Sequence, residues 1–286
     1  MISAAFLIHM INAGFILILN IYLRKKGYAD ENIAQFNSFR FLGVLFFAFP
    51  LGIFIKGKAL KPFFLASSLL VPLFSLFLLL SIQGGNETRI TLGFILWGVS
   101  FMILNVCGLP YIMRSAPEEV VSEAISLNFS TWSLATIVSG ALINILSRVN
   151  EIVIGSVIIP LDEFHIMLVI ISISSLSFIL VLFIKEAKPR SISSSFFNNL
   201  RALRSEYDWK IIGRVLVPNM LIAIGAGLTI PFVNLFFNTV FKVDSDTFSL
   251  IGAGTASIVF MTTLIIPIIR RKFGFRVAIL IPQWLA

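Results

Sequence analysis

All 14 acidic residues of this chain fall in the gaps between its long apolar runs. They are Asp30, Glu31, Glu87, Glu118, Glu119, Glu123, Glu151, Asp162, Glu163, Glu186, Glu206, Asp208, Asp244 and Asp246. The runs themselves are Ile2–Leu23, Phe36–Ile55, Phe63–Ile82, Ile90–Met113, Ala124–Ser147, Ile166–Ile184, Ile211–Phe237 and Thr247–Ile269. A further run begins at Val277. Each complete run is close to the roughly 20 apolar residues that carry a helix across a bilayer. An ionised side chain at mid-bilayer costs about 2.5–3.5 kcal/mol, so a lipid solvent drives acids out of the spans. The pattern predicts an all-α integral membrane protein with eight complete spans.

Composition agrees. Hydrophobic residues make up 58% of the 286 and charged residues 13%, whereas soluble domains run at about 45–50% and about 25%. So few charges cannot cover a water-facing surface. The net charge of +8 would suit nucleic acid, but the basic residues sit at span ends, where anionic lipid explains them and no nucleic-acid partner is needed. The first run has no basic residue before it and is longer than a secretory signal core. The single cysteine, Cys107, lies inside a run and reads as packing. There are two histidines and no HExxH, CxxC or P-loop pattern, so no metal and no cofactor is expected.

The bases also set direction. With Met1 in the cytoplasm, the inner loops hold Lys56, Lys58, Lys61, Arg114, Lys185, Lys188, Arg190, Arg201, Arg204, Lys210, Arg270, Arg271, Lys272 and Arg276. The outer loops hold only Arg24, Lys25, Lys26, Arg89, Arg148 and Lys242. The positive-inside rule therefore predicts a cytoplasmic N-terminus in a multi-pass protein of the cell membrane; the Arg24–Lys26 cluster runs against it. Arg40 and Arg214 enter runs near their ends, where a long side chain snorkels to the headgroups.

The longest polar stretch separates a six-helix unit, residues 1–185, from a linker, 186–210, and a second unit, 211–286. Within the linker Phe196, Leu200, Leu203 and Tyr207 recur at helical spacing, which suits a short helix on the inner membrane surface or a plain linker. The apolar segment 152–161 is too short to span and reads as a hairpin or an interfacial segment. The first and seventh runs repeat one another. One carries Asn12-Ala13-Gly14 and then Asn20-Ile21-Tyr22-Leu23; the other carries Gly225-Ala226-Gly227 and then Asn234-Leu235-Phe236-Phe237. Both enter the membrane in the same direction, which predicts a parallel repeat of two helical bundles.

These features resemble the major facilitator superfamily, in the Gly225–Phe237 sequence of the seventh run, the six-helix first unit and the long central loop. The resemblance implies two bundles that rock around a midplane site and a small organic solute as substrate, drug or metabolite efflux included. Two features depart from the family. Its second-to-third-helix loop carries an aspartate four residues after a glycine; here Gly52 is followed by Ile53, Phe54, Ile55 and Lys56. The counterpart Arg270-Arg-Lys-Phe-Gly274-Phe-Arg276 keeps the glycine and the bases but has Arg271 at the aspartate position. The family has twelve helices, so a second bundle cut short in its ninth helix is expected.

A solute path needs inward polar groups. On the first run, at 100° per residue, His9, Asn12 and Asn20 fall on one stripe within about 60° of His9. Trp97 and Asn105 on the fourth run, Asn128 and Trp132 on the fifth, and Asn219 and Asn234 on the seventh are the other candidates for substrate contact. For each the competing role is interhelical hydrogen bonding or packing. His9 is also the candidate for proton exchange, since no span carries an acid. Arg40 is a candidate either for contact with an anion or for anchoring at the headgroups. The small-residue stretches Gly252–Ser257 and Ser139–Ala141 suit close helix approach. An enzyme is not expected, because no acid, DDxxD-like or GxSxG pattern lies in a span. A carrier-derived receptor or assembly factor is the alternative.

Overall fold

The computed structural model describes residues 1–149, 151–154, 157–186 and 208–285. Among them, eight helical spans are long and apolar enough to cross a membrane. They are formed by α1 (Ile2–Lys25), α2 (Asp30–Phe54), α3 (Lys61–Gln83), α4 (Glu87–Ser115) and α5 (Val121–Val149). A sixth span comprises α6 (Glu163–Ser175) and α7 (Ser177–Leu182), and a seventh α8 (Trp209–Thr229) and α9 (Val233–Phe241). The eighth is the first part of α10 (Ser245–Leu285). The suggested surface helix at 196–207 lies outside the described residues.

Helices extend past the apolar runs, and the acids mark where. Asp30, Glu31, Glu87, Glu123, Glu163 and Asp246 all occupy first turns, where a negative charge meets the positive end of the helix dipole. Asn86 accepts from Arg89 N at 3.0 Å and Asp162 from His165 N at 3.0 Å, each capping the helix that follows. At the other membrane face the Glu186 carboxylate accepts from Leu60 N at 2.7 Å and Lys61 N at 2.8 Å, at the start of α3. The segment 152–161 forms an antiparallel hairpin of β1 (Glu151–Ile154) and β2 (Val157–Pro160), with Ile152 paired to Ile159. It is the one departure from an all-helical chain among the described residues.

α1 is the central helix, with Ala, Ile and Leu buried from Ala4 to Leu23. A helix apolar all round is one meant to be surrounded. It packs against α5 and α6; Gly14 permits the latter, since a Cβ there would lie 2.8 Å from Ile170 Cδ1. α4 joins α2 and α3, and α5 carries the main contact to the second unit through α10. At that contact a Cβ on Gly140 would stand 2.5 Å from Ser249 O and 3.0 Å from Ala253 Cβ. Both small-residue stretches thus lie where backbones come close. α8 has no buried residue.

Two breaks shape the second unit. A 3-10 turn, Ile230-Pro231-Phe232, divides the seventh span. α10 runs through the basic stretch 270–276 and departs from helical geometry only at Gly274, φ 83° and ψ 174°, a region essentially restricted to glycine.

Candidate functional site

A cavity of about 320 Å³ opens where the two units meet. The first unit supplies Phe15, Ile16 and Asn20 from α1, Asn37, Arg40 and Phe41 from α2, Trp97 from α4 and Trp132 from α5. The second supplies Ala223, Ala226 and Gly227 from α8, with Ile230 and Pro231 from the 3-10 turn. The mostly apolar wall with a few polar groups is the usual make-up of a small-molecule site, and the volume lies at the lower end of the usual range of about 300–1,000 Å³. Pro231 has no N–H to give the carbonyl of Gly227, four residues earlier, and the helix breaks there into the 3-10 turn.

Arg40 is the charged residue of this wall. Its partner Asn12 stands close to the midpoint of the 24-residue α1, which places the guanidinium near mid-span. The relative exposure of Arg40 is 9%. The guanidinium lies 3.8 Å from the centroid of the Trp97 ring and donates to Asn12 Oδ1 at 2.6 Å. Gly98 makes room for it, because a Cβ there would come within 2.9 Å of Arg40 Cγ. The Arg40 side chain is thus turned onto Trp97 and Asn12.

A chain of amides crosses between the units. Asn37 Nδ2 donates to Asn20 Oδ1 at 3.2 Å, and Asn20 Nδ2 donates to Pro231 O and to Asn234 Oδ1, the latter at 3.4 Å. Asn234 Nδ2 in turn donates to Ile16 O at 3.0 Å. The asparagines that correspond in the first and seventh runs thus touch each other.

The remaining candidates divide. His9 is buried against Phe101, ring centroids 5.4 Å apart, and Trp132, 5.5 Å apart; its Nδ1 has no partner. Trp132 connects His9 to the cavity. Asn105 borders an adjoining groove that shares Arg40, Phe41 and Trp132, and donates to Phe101 O on its own helix at 3.2 Å. Asn128 is half-buried beside Gly108 and is not part of the cavity wall. Asn219 is exposed, donates to Val215 O of its own helix at 2.8 Å and is not part of the cavity wall, which begins one turn later at Ala223. Sequence patterning does not single out Asn37, Phe41 or the α8 wall. Asn37 stands three residues before Arg40, on the same helix face, and that spacing was the available signal.

Polar links tie the units at both ends of the bundle. At one end Ser245 Oγ donates to Glu163 Oε1 at 3.2 Å and Arg24 contacts Thr239; Lys25 Nζ, from the same unit as Glu163, meets that oxygen at 2.5 Å. At the other end Arg271 pairs with Glu123.

Eight apolar spans packed around an interior cavity define a helical integral membrane protein. No protein-family model and no curated protein sequence matches the chain. Among solved structures, the crystal structure of a D-xylose-proton symporter matches with a TM-score of 0.66 at 12% sequence identity, covering 95% of this chain and 69% of that one. The chain therefore shares the fold of that protein.

Proposed function

We propose that this chain belongs to the major facilitator superfamily and moves a small organic solute across the cell membrane by alternating access, without a resident cofactor. The observation that carries the reading is the cavity shared by both units at mid-depth, where Asn20, Asn37, Arg40, Trp97 and Trp132 face Ala226, Gly227 and Pro231. A site made by two bundles opens to either side when they rock. The rocking bodies are residues 1–185 and 211–286, joined by the linker 186–210, and the N-terminus is cytoplasmic. Asn12 serves the site through Arg40, and His9 is the group placed to exchange a proton. Asn105 borders the lateral groove, while Asn128, Asn219 and Asn234 act in packing.

Ala226→Trp tests this in protein reconstituted into vesicles. The indole fills the cavity, so solute flux is expected to fall by at least tenfold while the thermal midpoint in detergent stays within a few degrees of wild type. Unchanged flux removes the cavity from the path.

A further inference from the structure

We infer that the cavity takes a small organic anion, its carboxylate or similar oxyanion seated on Arg40 and its apolar body against Trp97 and Trp132. The inference rests on the transport reading for its purpose, but on separate observations for its chemistry.

Arg40 brings five N–H donors and no acceptor. Among the described residues it has one hydrogen-bond acceptor, Asn12 Oδ1, and no acid within ion-pair distance. Every acid of the sequence lies outside the apolar runs, so the charge sits near mid-membrane without a counter-charge. A cation so placed is costly unless it is paired. The face of Trp97 offsets part of that cost but supplies no lone pair along the N–H directions. The neighbours are short of acceptors as well. Arginine cannot accept, so the oxygen of Asn12 must face it, which leaves Asn12 Nδ2 as a buried donor with no partner. Trp97 Nε1 is a second such donor. Asn20 Oδ1 already accepts from Asn37. Around the guanidinium, then, two buried donors stand without an acceptor, and an oxyanion supplies what they lack.

A carboxylate, sulfonate or phosphonate completes this arrangement, because the guanidinium fork binds two oxygens of such a group at once. The volume of about 320 Å³ sets the size at a compact solute. The rings of Phe15, Phe41, Trp97 and Trp132 set its character, apolar or aromatic beyond the charged group.

The full chain in nanodiscs of phosphatidylcholine provides the test. 4-Bromobenzoate, 4-bromobenzenesulfonate and 4-bromophenylphosphonate are titrated beside uncharged 4-bromobenzamide, and quenching of tryptophan fluorescence by bromine is read. At least one anion is expected to bind tenfold or more tightly than the amide. Arg40→Gln is expected to bring anion and amide to equal affinity. Asn12→Asp keeps Arg40 but gives it an internal carboxylate, and is expected to weaken the anion by tenfold or more with the amide unchanged. Equal affinity in wild type, a preference that survives Arg40→Gln, or no saturable quenching by any anion overturns the proposal. Repeating the titration in discs with anionic lipid separates a free solute from a lipid phosphate. Loss of anion binding there assigns the guanidinium to lipid and overturns the solute site. Flux across vesicles separates this inference from the transport reading. Arg40-dependent binding with no flux keeps the anion site and removes transport; equal flux of amide and anion keeps transport and removes the anion site.

Discussion

Gly98 and Gly225 show how differently one residue type behaves at two places in this bundle. A methyl group on Gly98 would meet Arg40 O at 2.7 Å and Arg40 Cγ at 2.9 Å, whereas nothing lies within 4 Å of one on Gly225. Gly98→Ala forces α2 and α4 apart, and a loss of about 1–3 kcal/mol is expected from such overpacking. It also moves Arg40 off Trp97. Gly225→Ala is expected to be neutral or to gain up to about 1 kcal/mol from helix propensity. Thermal midpoints of the two variants in the same detergent check the pair; equal midpoints would show that the contact at Gly98 is not tight. The polar residues follow the same logic of position. Asn12, Asn20 and Asn234 are buried at 1%, 5% and 2% exposure, and each finds a partner on another element; Asn219 is exposed and bonds its own helix.

At the scale of elements, the seventh span carries the informative irregularity. Pro231 interrupts it, has no N–H to donate and offers its own carbonyl to Asn20. Pro231→Ala restores the missing N–H, so α8 and α9 are expected to join into one straight helix. The variant should be as stable as wild type or more stable, yet carry solute at a rate at least several-fold lower, because the cavity wall moves. Flux and thermal midpoint measured on one preparation decide it; normal flux would mean the break serves only packing. α3 offers a contrasting, purely structural case. Glu186→Ala leaves the Leu60 and Lys61 amides without their carboxylate, at a cost of about 0.5–2 kcal/mol typical of a lost helix cap, read as a lower thermal midpoint with flux per folded molecule unchanged.

The whole molecule is two units joined at a midline and tied at both ends. Glu163 with Ser245 and Arg24 with Thr239 hold one end, Glu123 with Arg271 the other. Rocking requires that these ties break in turn. The orientation of the bundle has a direct check. Glu87 opens α4 and Glu118 follows its far end, so the two lie on opposite membrane faces. In a Cys107→Ser background, Glu87→Cys is expected to react with an impermeant maleimide on intact cells, and Glu118→Cys only after permeabilisation. The reverse pattern would invert the topology; labelling of both from one side would break the span assignment.

Sequence alone determined the spans, because the cost of placing a charge in hydrocarbon is paid at each position regardless of what surrounds it. The placement of every acid therefore announced the helices, and their common direction announced the repeat that the fold displays. The polar stripe on α1 was legible for the same reason: helical periodicity is local. What sorted the stripe was tertiary. Whether Asn12 faces a guanidinium, whether Asn20 and Asn234 touch, and whether Asn219 faces anything depends on which helices pack where, and helical spacing is silent on that. Arg40 is the clearest case. From the sequence it is a cation near the end of an apolar run, equally suited to the headgroups or to an anion. Only the close approach of α2 and α4 at Gly98 and the position of Asn12 on α1 bring it inward onto Trp97, with no acid in ion-pair distance among the described residues.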